Sequence, residues 1–135
     1  MRRAWLFVTL IILGCKSEPA KLVQVLEQSS SGLATAASVG RATAANRTPV
    51  RYADDTIDET LQELERATSR LDELTVGAAL RVNAKALIER TIPTLVQLRA
   101  ALRAHSPDIR THTVQLSMAA DSLDSLADEA RDLER

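Results

Sequence analysis

Cysteine and aromatic residues are nearly missing. Cys15 is the only cysteine, so no disulfide can form within the chain. One Trp, one Phe and one Tyr are the only rings in 135 residues. Trp5 and Phe7 both fall in the first fourteen residues, leaving Tyr52 as the one aromatic residue beyond them. Nucleic-acid binding by base stacking needs aromatic platforms, and a core without rings has to be built from Leu, Ile, Val and Ala. Those residues favour helices over strands. Glycine and proline, four of each, leave few places for turns.

Catalytic patterns are also missing. No Gly-x-Ser-x-Gly elbow, His-Glu-x-x-His pair or phosphate-cradling glycine loop occurs. No Cys-x-x-Cys-His is present for haem attachment, and His112 and Met118, six apart on one helix, cannot straddle one iron. The residues give no reason to expect an enzyme or a bound cofactor. Residues 15–135 carry fifteen Lys and Arg against eighteen Asp and Glu, a net charge of −3. That is no electrostatic footprint for nucleic acid.

What is present begins at the N-terminus. Arg2 and Arg3 precede ten uncharged residues, Ala4 to Leu13, and then Gly14. A spanning helix needs about 20 apolar residues. The shorter run after a basic start has the form of a cleaved secretory signal covering residues 1–14. Ile12-Leu13-Gly14-Cys15 resembles the lipobox of bacterial lipoprotein precursors: an aliphatic residue three before the cysteine, a small one just before it, then the cysteine. Leu13 departs from the pattern, in which a smaller residue is usual. The resemblance covers about fifteen residues. It implies a diacylglyceryl thioether on Cys15, cleavage after Gly14 and acylation of the new amino group. Several acyl chains hold a protein at a membrane stably. In one sorting scheme an aspartate after the lipidated cysteine retains the protein at the inner membrane. Lys16 stands there instead, which implies the outer membrane, facing the periplasm.

Residues 15–135 make one domain, expected to be all-α: an antiparallel up-down bundle of four helices. The first segment runs from about Ser17 to Asn46. Its second half is rich in small residues, so residues 15–48 could be a packed helix or in part a tether. The second starts at Thr48-Pro49, with Thr as N-cap and Pro in the first position. Its seam reads Ile57, Leu61, Leu64, Thr68, Leu71 and Thr75, and Gly77 fits the position past its end. The third spans about Ala78 to Ala104. Its apolar face is Leu80, Leu87, Ile88, Ile92, Leu95, Val96, Leu98 and Leu102, with a kink expected at Pro93. Residues 49–104 could alternatively form one long bent helix. The fourth starts at Ser106-Pro107-Asp108, and its seam reads Ile109, His112, Leu116, Ala119, Leu123, Leu126, Ala130 and Leu133.

Charge alternates along the chain. Residues 15–48 carry four basic and two acidic groups (net +2), and residues 50–77 three and eight (−5). Residues 78–106 carry five and one (+4), and residues 107–135 three and seven (−4). Sequential neighbours in an up-down bundle therefore pair opposite signs, which opposes wrong pairings.

Few residues qualify as a site. His105, Asp108 and His112 surround the last turn, and two imidazoles with a carboxylate can bind zinc or another divalent metal. The favoured account is a capping acid beside two ordinary histidines, since Asp108 stands where helix four begins. Asp121, Asp124, Asp128 and Asp132 form a stripe expected to be a solvated helix face. Asp54, Asp55, Asp58 and Glu59 are expected to complement the N-terminus of the second helix. The resulting expectation is a non-enzymatic envelope lipoprotein, bound to a membrane through Cys15 and to a protein partner through a helix face. A metal- or ligand-binding periplasmic bundle is the alternative.

Overall fold

The computed structural model describes residues 17–135. The signal segment, the lipobox and Cys15 lie outside the described residues. Four α-helices follow in order: α1 (Glu18–Ala44), α2 (Val50–Glu73), α3 (Ala78–Arg103) and α4 (Ile109–Asp132). Each packs against its sequence neighbour, and α1 also packs against α4, closing an up-down four-helix bundle. The α1–α4 pair is the most extensive contact, α1 also touches α3, and α2 and α4 do not meet. The two strongly acidic helices thus occupy the diagonal that stays apart. Among the described residues no helix is long and apolar enough to cross a membrane.

Every helix carries a seam with alternating steps of four and three. Leu22, Leu26, Ser29, Leu33, Ala36, Gly40 and Thr43 are buried on α1. Ala53, Ile57, Thr60, Leu64, Ala67 and Leu71 are buried on α2, continued by Leu74. On α3 the seam is Ala84, Ile88, Thr91, Leu95, Leu98 and Leu102. On α4 it is Ile109, Thr113, Leu116, Ala120, Leu123, Ala127 and Ala130. Side chains at this spacing share one face of a helix and interlock with those of its neighbours.

These seams correct part of the sequence reading. On α2 the expected Leu61, Thr68 and Thr75 give way to Thr60, Ala67 and Leu74, one residue earlier. Leu61 and Thr68 are half-buried and Thr75 is exposed. On α4, Thr113, Ala120 and Ala127 take the central places expected of His112, Ala119 and Leu126. Ala119 remains buried, His112 and Leu126 are half-buried, and Leu133 is 45% exposed. Val96 of α3 is exposed, while Leu80, Leu87 and Ile92 pack at the edge of the core. At Thr60, Ala67, Thr113 and Ala127 a small side chain takes the buried place and the larger Leu61, His112 and Leu126 lie on the flanks, whereas at the end of α2 the apolar Leu74 displaces the polar Thr75.

The small-residue half of α1 belongs to this packing and is not a tether. Ser30 Oγ donates a 2.9 Å hydrogen bond to the Ala120 carbonyl across the α1–α4 interface. Ala36, Ala37 and Gly40 are buried beside it. At its start, Ser17 accepts a 3.4 Å hydrogen bond from the Ala20 amide and acts as N-cap.

The turns depart further from expectation. Helix α2 begins at Val50, with Pro49 at the N-cap position, so Asp54 and its neighbours lie past the first turn. Two of them meet α3 instead, Asp54 pairing with Arg103 at 2.9 Å and Asp58 with Arg99, while Asp55 and Glu59 are exposed; farther along α2 Asp72 pairs with Lys85 at 3.0 Å. Residues 74–77 break the chain between α2 and α3, so 49–104 is not one long helix. Gly77 does not end α2; it is the left-handed N-cap of α3, at φ 62°. Arg81 binds the loop, donating hydrogen bonds to the carbonyls of Val76 (2.8 Å), Leu71 (3.4 Å) and Thr75 (3.4 Å). Helix α3 runs through Pro93 without interruption.

Two turns are built alike. After α1, Asn46 takes a left-handed conformation (φ 58°), and Arg47 N–H reaches back to the Ala42 carbonyl at 2.9 Å. After α3, His105 does the same (φ 51°), and Ser106 N–H bonds the Ala101 carbonyl at 2.9 Å. This six-to-one closure satisfies carbonyls that a helix end leaves free.

Candidate functional site

The α3–α4 turn holds the residues singled out as metal candidates. His105 is exposed and serves the turn through its backbone. Asp108 is exposed at the N-cap position of α4, but its side chain makes no capping bond, contrary to expectation. Ser106 does the local work: its Oγ accepts the Asp108 amide at 3.1 Å, and its carbonyl accepts the Ile109 amide at 3.4 Å. His112 is half-buried, with its Nδ1 shielded from solvent and without a hydrogen-bond partner. Among the described residues, no group of three His, Cys, Asp or Glu side chains is placed to hold a metal ion. His105, Asp108 and His112 are therefore neighbours along the chain, not a ligand set.

The acidic stripe of α4 is solvated as expected, with Asp121, Asp124, Asp128 and Asp132 all exposed. Arg131 bridges Asp128 on its own helix and Glu27 on α1. Buried hydroxyls are occupied by the main chain. Ser29 donates to the Val25 carbonyl (2.8 Å), Thr60 to Thr56 (2.8 Å) and Thr91 to Leu87 (2.7 Å). Such bonds satisfy a polar group inside a core, and none of these hydroxyls meets a base that could activate it.

Surface depressions remain. One, of about 570 Å³, follows the charged outer face of α2 alone, along Glu65, Arg66 and Arg70, and has no second wall. A groove of about 470 Å³ between α3 and α4 is different in character. Leu87, Thr94, Gln115, Met118 and Ser122 line it, and Arg90 is its one charged residue. Met118 is 64% exposed there. A third, about 510 Å³, opens between the end of α1 and the start of α4.

One contact at the opposite end was not legible in the sequence. The Glu18 carboxylate accepts the Thr75 hydroxyl at 2.6 Å and the Thr75 amide at 3.2 Å. The hydroxyl bond, then the amide bond, hold the Glu18 carboxyl below its ordinary value, with Lys21 and Arg81 adding to the effect.

No family model, curated protein or solved structure matches the chain.

Proposed function

We propose that the protein is a cell-envelope lipoprotein whose helical bundle is a non-enzymatic interaction module at a membrane surface. The observation that carries this reading is Ile12-Leu13-Gly14-Cys15 at the end of a short uncharged run. The position of α1 supports it. Only Lys16 and Ser17 stand between Cys15 and the helix that starts at Glu18. An extended residue spans at most about 3.6 Å, so an acylated Cys15 would hold that end of the bundle within roughly 10 Å of the lipid.

The α3–α4 groove is the face we assign to protein contact. Its exposed Met118 is a flexible, polarisable side chain suited to an apolar partner surface. In a cell with two membranes the anchored site is the outer membrane, facing the periplasm, because Lys16 follows the cysteine.

Labelling cells with a clickable fatty acid tests the anchor. The wild type should be marked and Cys15→Ala should not; equal labelling would end the lipoprotein reading. A photo-crosslinking residue at position 118 tests the face. It should trap one discrete adduct in envelope preparations that the same residue at position 65, on the charged face of α2, does not trap.

A further inference from the structure

The cleft between α1 and α4 gathers two arginines. Arg41 comes from the last turn of α1 and Arg110 from the first turn of α4, and both line it. His105 lines it too, Ala45, Pro107 and Ile109 supply apolar wall, and no carboxylate is among its lining residues. Across the α2–α3 interface Arg99, Arg103 and Lys85 each meet an acid. Here two arginines line one cleft and neither has an ion pair among the described residues. Arg41 donates to the neutral Ser117 hydroxyl at 3.2 Å, which leaves its charge unbalanced. Arg110 has no ion pair among the described residues and is exposed.

Helix ends do not change the sign. The N-terminus of α4 and the C-terminus of α1 each bring about half a charge, of opposite sign. Asp108, exposed beside Pro107 and Ile109, is one acid against two guanidiniums, so the balance at the cleft stays positive. Guanidinium is also the group that binds carboxylate and phosphate through paired N–H donors. A cleft of about 510 Å³ is of the size that holds a small molecule.

We propose that this cleft binds a small organic anion, a phosphate or carboxylate carried on an apolar body. Arg41 and Arg110 grip the charged end, and Pro107, Ile109 and Ala45 take the body. The site does not depend on the lipid anchor. A free phosphate ester and a phospholipid headgroup share this chemistry.

The test uses the full-length protein in micelles of a neutral detergent, with phenyl phosphate as the probe at low ionic strength. Calorimetry should show saturable binding at one site per chain. Arg41→Gln and Arg110→Gln should each weaken it about tenfold, the loss of one charge-assisted contact. Arg66→Gln, on the outer face of α2, should leave it unchanged, and helical circular dichroism of all three variants should match the wild type. Micelles doped with phosphatidylglycerol then separate the sources: displacement of phenyl phosphate identifies a headgroup as the ligand, and no displacement identifies a free anion. No saturable binding, or equal weakening by all three substitutions, overturns the proposal.

Discussion

Gly40 of α1 and Thr113 of α4 lie so close that a Cβ atom on Gly40 would stand 2.9 Å from the Thr113 Cγ2 methyl. Leu98 Cδ2 of α3 would be 3.2 Å away on the other side. Three helices thus meet at a position where only a hydrogen fits. Alanine is the better helix former by about 1 kcal/mol, but overpacking a core costs typically about 1–3 kcal/mol. Thr113 is β-branched and buried, so its methyl cannot swing aside freely. We expect Gly40→Ala to lower stability by about 1 kcal/mol once the helix gain is subtracted. Thr113→Ser removes the clashing methyl and should recover most of the loss in the double variant. Additive effects in denaturant melts would mean that the two residues do not compete for the same space.

Leu123→Asp should unfold the bundle or strongly destabilise it, whereas Asp124→Ala should not. Leu123 is fully buried at the middle of the α4 seam, and Asp124 is exposed. An unpaired carboxylate at position 123 would lose apolar contacts and water together, at a cost of several kcal/mol. A domain of this size has a total stability of about 5–15 kcal/mol. Asp124 is a solvated position, where a substitution changes stability by about half a kcal/mol or less. Thermal melts of both variants decide it, and equal melting temperatures would place the buried face elsewhere.

The bundle and its four helices were legible because periodicity survives from sequence to structure. Ile57, Leu64 and Leu71 sit on the α2 seam where their spacing puts them. The other half of the seam was misread by one residue at Thr60, Ala67 and Leu74. A step of three and a step of four both keep a residue on the same helix face, and hydropathy chooses Leu61 over Thr60. Packing reverses that choice: Thr60 returns its hydroxyl to the Thr56 carbonyl and fits a close approach that Leu61 would prevent. The cleft was illegible for a different reason. Arg41 and Arg110 lie on different helices, and only the closure of α4 onto α1 brings them to one wall.

The two left-handed turn residues make a paired prediction. A left-handed conformation costs an ordinary residue roughly 1–2 kcal/mol, with asparagine among the few that tolerate it. Glycine escapes that cost but loses more backbone freedom on folding, by about 0.5–1 kcal/mol. His105→Gly should therefore stabilise the bundle by about 0.5–1 kcal/mol, and Asn46→Gly by a few tenths at most. Parallel urea melts would show it. A loss of stability at His105→Gly would mean that the imidazole itself contributes contacts to the turn.

The Glu18–Thr75 pair predicts a dependence on acidity. The Thr75 hydroxyl and amide favour the charged form of Glu18, so its pKa in the folded protein lies below the ordinary value of 4.5. A group whose pKa falls on folding contributes stability above its unfolded pKa and loses it as pH falls through the folded one. At neutral pH the bond is intact and pins the α2–α3 loop to the start of α1. Glu18→Gln keeps the shape of the side chain and removes the charge. It should melt below the wild type at pH 7, and the gap should close as the pH drops well under 4.5. The two proteins differ at position 18 alone, so the difference between their melting curves reports on Glu18. Thr75→Val, which removes the strongest donor, should narrow the same gap at neutral pH. A gap that stays constant down to acid would show that Glu18 is protonated alike in the folded and unfolded chains, and that its charge does not hold the loop.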